Sequence, residues 1–484
     1  MRRLDTDYLV IGAGAAGMAF TDALIDHAED VHVTIVDRRS AAGGHWLDAY
    51  PFVRLHQASV FYGVASTILG DGSLQEDGPE AGLQERADQS EIVSYFDDIL
   101  QRRFIRGGRV TFLPRSEHRL EGSQHVVTSL DTGERTEIHP RARVVDASYL
   151  SPYIPSQTPP SFPVTSDVHL APVNDLPRLA EDHQRFVIVG SGKTATDAIV
   201  WLLELGVPPD LLTWIRPRDP WMLDRSVVQP DPVRALGLIA DTLEAAIEAK
   251  SADDMFLGLE DRGVMVRIDP AVTPSMAKTP TLARWELELL RSVEHVVRLG
   301  HIRGITAGEI TLDLGTLAME RGTLVVHCAA SGLRYPPMVP IWGPDRVRLQ
   351  TIRPGFPCFN AALAGLVEAS RDDDSERNRL CPPNTLPNTP EDWAWMQVRG
   401  AIASATFGAE PDISSWMNAC ALNPVRLPAQ GQADPQIGSL YSRIASATAA
   451  GLEQLTAFAD PRLGPPDVIA DTDLGDPFAR LEVE

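Results

Sequence analysis

The sequence is poor in cysteine. Four of its 484 residues are cysteines, Cys328, Cys358, Cys381 and Cys420, and no two form a C-x-x-C pair. This excludes a disulfide framework, the usual zinc spacings and a dithiol redox couple, so no metal is expected. The same scarcity suits a reducing cytoplasm. Long apolar runs are also missing: nothing approaches the roughly 20 residues an apolar helix needs to cross a bilayer. Met1-Arg2-Arg3 ahead of an apolar run imitates a secretion signal. Asp5 and Asp7 interrupt it, and cleavage would cut into a glycine motif, so no signal is expected. Positive charge is scarce too. Lys and Arg number 43 against 66 Asp and Glu, a net charge of -23, which argues against nucleic acid or an anionic membrane as partner. No solenoid repeat is visible. The remainder, 44% apolar and 23% charged, is ordinary for a globular chain of several domains.

The strongest signal lies in residues 7–62. The apolar run 8–11 reads as a buried parallel strand. Gly12, Gly14 and Gly17 follow as G-x-G-x-x-G, and Ala15 and Ala16 open a helix expected to reach about Ala28. A second strand, 31–36, ends at Asp37. Strand, glycine spacing and acid together make a complete dinucleotide-binding unit. Gly12 permits the tight turn, Gly14 lets a pyrophosphate approach the backbone, and Gly17 lets helix and strand pack closely. The helix N-terminus offers free N–H groups to the phosphates. Asp37, followed by Arg38, is placed to accept from ribose hydroxyls and would repel a 2′-phosphate, which favours FAD or NAD here.

The pattern recurs once. Residues 185–189 read as a strand, and Gly190-Ser191-Gly192-Lys193-Thr194-Ala195 opens a second helix as G-x-G-x-x-A. A P-loop would need glycine at position 187, which is valine, so that alternative fails. The next strand, 211–215, ends at Arg216-Pro217-Arg218 with no acid at the ribose position. Arg216 and Arg218 suit a 2′-phosphate, making NADPH the expected second nucleotide. Lys193 adds a phosphate contact or faces water. Elsewhere, 66–90 reads as a polar surface excursion, a helix capped by Ser90 follows, and 109–146 reads as a β-meander ending in a core strand. Residues 151–177 read as a linker, 232–249 and 283–299 as helices, the stretch between them as loops with a short strand near Val264, and 324–327 as a buried strand. Cys328 reads as a small core residue. Residues 371–388 read as a connector, 391–460 as mostly helical, and the chain from Pro461 as an acidic exposed tail.

Gly43-Gly44-His45-Trp46, then Tyr50-Pro51-Phe52-Val53-Arg54-Leu55-His56-Gln57 with Ser59 and Tyr62, resemble the flavin-contacting segment of the class B flavoprotein monooxygenases. That group includes the flavin-containing and Baeyer–Villiger monooxygenases. His56 stands where those relatives carry Asn or Asp. Phe162 and His169 are a degenerate match to their linker signature, and Asp146-Ala147-Ser148 and Cys328 to Leu333 depart from their A-T-G turns. The resemblance implies an α/β fold of two Rossmann-like domains, the second inserted into the first, plus a helical C-terminal region. The expected division is 1–154 and 331–375 for FAD, 155–330 for NADPH with a helical insertion, and 376–484 for the extension and tail. It further implies that Gly44, His45, Trp46, Arg54, His56 and Gln57 contact FAD, and that a helix beginning near Asn360 points at the flavin.

The implied activity is an FAD-dependent, NADPH-using monooxygenase. Reduced flavin and O₂ would give a C4a-(hydro)peroxyflavin that oxygenates a small molecule at nitrogen, sulfur or a ketone. His56 and Gln57 are the candidate catalytic residues. His56 either bonds the oxygenating species or tunes its protonation near neutral pH, or else makes a structural hydrogen bond. The alternatives are an NAD(P)H-dependent flavoprotein reductase without oxygen insertion, and a flavin-binding partner subunit. The last hundred residues carry no chemical motif and read as a packing or homodimer element.

Overall fold

A computed structural model describes residues 2–330, 332, 334–426 and 434–459. The acidic tail expected from Pro461, and residues Ser331 and Leu333 of the second turn, lie outside the described residues. The fold is α/β, organised on two sheets.

In the first sheet, β1 (Arg2–Ile11), β2 (Val33–Val36), β3 (Val110–Leu113), β4 (Ser116–Glu121), β5 (Gln124–Ser129) and β6 (Arg135–Asp146) lie in the order β3-β2-β1-β6-β5-β4. The strands β3, β2, β1 and β6 are parallel neighbours, while β4, β5 and β6 form the antiparallel meander. Residues Arg346–Arg348 return to pair with the end of β6. Val10 and Ile35 are fully buried, as befits strands covered on both faces. β1 begins earlier than its apolar run suggests. Arg2 to Thr6 pair with β6, so backbone hydrogen bonding extends the strand where side-chain hydrophobicity does not.

The second sheet is wholly parallel. Its strands β7 (His169–Pro172), β8 (Phe186–Val189), β9 (Leu212–Ile215), β10 (Val296–Val297) and β11 (Leu324–His327) lie in the order β10-β9-β8-β11-β7. The stretch read as a linker therefore contributes an edge strand, because His169 to Pro172 find β11 unpaired on that side.

The helices α1 (Ala15–His27), α2 (Gln89–Asp98), α3 (Lys193–Glu204), α4 (Pro232–Glu248), α5 (Ala252–Asp261), α6 (Arg284–Arg291), α7 (Pro357–Ser370), α8 (Pro390–Gly408) and α9 (Pro435–Phe458) complete the frame. The N-cap of α2 is Asp88, not Ser90: its side chain accepts from Glu91 N–H while Glu91 accepts from Asp88 N–H. α5 occupies a stretch read as loop, capped by Ser251 on Asp254 N–H. α6 is shorter than its periodicity suggests, because the chain turns to supply β10. The C-terminal helices pack on α4 and α5. Arg443 of α9 pairs with Asp241 and Glu244 of α4, and Trp393 of α8 meets Phe256 of α5 edge-on at 5.2 Å. Among the described residues no helix is long and apolar enough to cross a membrane.

Candidate cofactor and active site

The first glycine turn sits at the carboxyl end of β1 and opens α1, as its spacing requires. Gly17 is dictated by contact: a Cβ there would lie 2.0 Å from the Gly12 carbonyl oxygen. A second glycine pair closes over the turn. Gly43 N–H donates to Ala13 O at 2.9 Å, and a Cβ on Gly44 would lie 2.8 Å from Gly14 Cα. The two backbones form a side-chain-free cradle at a helix N-terminus, which fits a pyrophosphate. Ala15 and Ala16 make the first turn of α1. Asp37 is buried and engaged: its oxygens accept from Ala13 N–H at 2.7 Å and Arg39 N–H at 2.8 Å. It thus orders the loop around the cradle. Arg38 points outward and pairs with Glu117 at 2.7 Å.

The segment that follows is held by specific contacts. Trp46 Nε1 donates to Tyr62 Oη at 2.6 Å, and Gln89 donates to Trp46 O. Burial and the Arg39 charge push His45 down to about 4. Ser59 Oγ bonds Glu85 and accepts from Ala87 N–H. Arg54 is exposed and donates to Arg86 O at 3.4 Å. Gln57 is buried. His56 retains accessible surface, yet its surroundings, the first of them burial and then the Lys193, Arg225 and Arg86 charges, lower it to about 3. The residue is exposed, and the nearby Lys193, Arg225 and Arg86 charges disfavour a further positive charge on its ring. The lowered pKa favours a neutral imidazole near neutral pH, and its Nδ1 accepts from Thr281 N–H at 3.5 Å.

The second turn has a different character. A Cβ on Gly192 meets no atom within 4 Å, and the buried Ser191 hydroxyl has no protein partner. Free space beside an unsatisfied hydroxyl at the start of α3 fits a phosphate. The nearby cations are committed elsewhere. Lys193 pairs with Asp197 and with Glu286. Arg216 is buried, lies 4.5 Å from the Trp214 ring centre, and pairs with Asp219 at 2.9 Å, although its Nε and Nη1 find no partner. Arg218 donates to Ser275 and Asn388. Thr194 bonds Tyr50. Asn360 is also spoken for: it is buried one turn into α7 and ties down the preceding loop through Arg353 and Gly355.

The two halves meet through a charged network that the sequence did not single out. Tyr50 donates to Asp197 at 2.6 Å, and Phe52 stacks on Trp201 at 4.9 Å. Glu286 accepts from Lys193 at 3.4 Å and from Arg225 at 2.6 Å. Arg225, with no exposed side-chain surface, also pairs with Glu80, which binds Arg86 at 2.7 Å. Arg225 donates to His56 O at 3.2 Å and Arg86 to Leu55 O at 2.9 Å, while Thr281 donates to His56 O as well. Three cations thus face three carboxylates. Burial raises Glu286, but Lys193, Arg225 and Arg86 outweigh it and hold the carboxyl at about 2. Beside this network opens a cleft of about 380 Å³ lined by Phe52, Arg54, Glu80, Arg86, Trp201 and Trp285, among others. Glu80 and Arg86 belong to the stretch read as a surface excursion. They lie in a loop between elements, with no motif around them, so only their tertiary partners betray them.

Comparison with known proteins gives the same frame. Residues 10–65 match the family described as NAD(P)-binding Rossmann-like domain. The uncharacterized proteins Rv2000 of Mycobacterium tuberculosis and Mb2023 of Mycobacterium bovis are each 39% identical over 432 residues, covering 87% of this chain and 78% of theirs. Among solved structures, ε-caprolactone-bound cyclohexanone monooxygenase aligns over 92% of this chain and 99% of its own, at 14% identity and a TM-score of 0.50. The polycyclic ketone monooxygenase of Thermothelomyces thermophila aligns over 94% and 90%, at 12% identity and the same score. These likenesses establish the two-dinucleotide fold of that class.

Proposed function

Given that the chain belongs to the family of the mycobacterial protein Rv2000 and has the fold of the class B flavoprotein monooxygenases, we propose that it is an FAD-dependent, NADPH-using monooxygenase of small molecules. The observation that carries this reading is the docking of one nucleotide unit on the other. The segment after the first glycine turn, through Tyr50 and Phe52, lies on the helix after the second, through Asp197 and Trp201.

FAD is assigned to the Gly14–Gly44 cradle, and NADPH to the turn at Gly190–Lys193. The unpartnered Nε and Nη1 of Arg216 support a 2′-phosphate, with Arg218 two residues on. Bound flavin would supply the redox chemistry, taking hydride from NADPH and passing one atom of O₂ to the substrate while the other leaves as water. The chain's own part is placement. Arg225, Thr281 and Arg86 fix the His56 and Leu55 carbonyls, so the His56 imidazole is presented at a set position. Neutral at working pH, it serves as a hydrogen-bonding group and not as a proton reservoir. The adjoining cleft is of a size for a small organic substrate, with Phe52, Trp201 and Trp285 among mostly charged and polar lining residues.

The test is coupling. Purified protein is supplied with NADPH, O₂ and a panel of amines, sulfides and ketones, and NADPH consumed is compared with oxygenated product formed. Near-stoichiometric product from any class supports the proposal. NADPH oxidation that yields only hydrogen peroxide across the panel would move the protein to the reductase reading, and absence of bound flavin would refute both.

A further inference from the structure

We propose that Glu286 is a positioning residue that couples occupancy of the second glycine turn to the backbone of the His56 segment. This rests on the proposed nucleotide sites. Glu286 stands between two cations with different duties. Lys193 is the first residue of α3, at the turn with free space over Gly192. Arg225 grips the His56 carbonyl at 3.2 Å and, through Glu80 and Arg86, the Leu55 carbonyl. Glu286 itself is fixed: its Oε2 also accepts from Ala283 N–H at 2.7 Å, anchoring it in the first turn of α6. Its 3.4 Å contact with Lys193 is the longest link of the chain, and therefore the one most readily exchanged.

An anionic pyrophosphate at the turn competes with Glu286 and Asp197 for Lys193. When Lys193 turns to phosphate, Glu286 has Arg225 alone as its cation. The Arg225 guanidinium, with no exposed surface, then shifts its balance between Glu286, Glu80 and the His56 carbonyl. Because Arg225 has no exposed side-chain surface and Glu80 and Glu286 have little, water screens the central links poorly, and a change at one end passes to the other. The nucleotide thus reports its arrival to the flavin-side loop without touching it.

The test uses the flavin-loaded protein and NADP⁺ as probe. Hydrogen–deuterium exchange of the peptide spanning residues 54–59 is measured with and without saturating NADP⁺, with saturation fixed by calorimetry. In the wild type the nucleotide is expected to change exchange of this peptide at least threefold. In Glu286→Gln the change should fall below 1.5-fold although NADP⁺ still binds as tightly or more tightly, Lys193 having been freed. Lys193→Met, which cuts the same chain from its other end, should likewise hold the exchange change below 1.5-fold at saturating NADP⁺, although it binds the nucleotide more weakly for want of its lysine, and serves if Glu286→Gln fails to fold. A flavin reduction rate at least tenfold lower in Glu286→Gln, at unchanged nucleotide affinity, is the kinetic counterpart. An exchange response in both variants equal to that of the wild type would overturn the coupling while leaving the nucleotide sites intact. A wild type that binds no NADP⁺ would overturn the coupling together with the functional reading beneath it.

Discussion

Replacing Gly192 with alanine separates ligand geometry from fold. Gly192 has φ −84° and ψ −177°, an extended conformation open to any residue, and its added Cβ would meet no atom within 4 Å. The protein should therefore keep its stability, or gain about 0.4–1 kcal/mol from a less flexible unfolded chain. A nucleotide pyrophosphate uses that same space. A methyl group there displaces it from at least one N–H of the helix start, a charge-assisted hydrogen bond worth about 1.5–3 kcal/mol. At about 1.4 kcal/mol per tenfold, NADPH affinity should fall roughly 10- to 150-fold. The assay is anaerobic flavin reduction as a function of NADPH concentration, alongside thermal unfolding. Gly190→Ala is the control: with φ +130° and an added Cβ 3.1 Å from Cys328 O, it should weaken both binding and stability. An NADPH affinity within threefold of wild type in Gly192→Ala, with unfolding unchanged, would refute the placement of a phosphate at this turn.

Gly17→Ala is expected to cost about 1–3 kcal/mol or more from overpacking, given the 2.0 Å approach to Gly12 O, and to lower flavin content; urea unfolding and absorbance spectra check both. Arg216→Gln should reduce the preference for NADPH over NADH about tenfold, the worth of one charge-assisted bond, in steady-state coenzyme oxidation; an unchanged preference would leave Arg216 to Asp219 alone. Stability should decline with acid in two stages, the first shared by His56 with two other lowered imidazoles, His45 at about 4 and His118 at about 3. His56 lies at about 3 against an ordinary 6.5, so the unfolded chain binds the extra proton and stability falls as pH drops from about 6.5 towards 3. Glu286, at about 2 against an ordinary 4.5, adds its loss from about 4.5 downward. Melting temperatures from pH 7 to 4 check this, and a His56→Gln variant that declines as steeply as wild type between 6.5 and 4.5 would refute the His56 share.

Much of the frame was legible because it is written in local rules. The glycines at 12, 14 and 17 and at 190 and 192 follow strands and open helices, so their spacing carries meaning within about ten residues of chain. The meander and the helix at 232–249 were readable for the same reason, from period and turn residues. Edges were less so: β7 exists because β11 offers it an unpaired side, a circumstance with no local trace. The charged residues were read least well. Lys193, Arg216 and Arg218 sit where a nucleotide motif invites a phosphate contact, yet the fold supplies each with protein partners first.

By itself, then, the sequence determined two dinucleotide-binding units, the glycines that shape them and the flavin-type segment between them, because sterics and backbone hydrogen bonding act on neighbours in the chain. Only the tertiary structure decided what faces what. Glu80 and Arg86, Arg225, and Glu286 come from three separate segments of the chain and have no reason to be read together until burial removes water and leaves each charge only the others to answer it. The lowered pKa of His56 is likewise tertiary, since beside burial it is owed to Lys193 and Arg225, more than a hundred residues away along the chain.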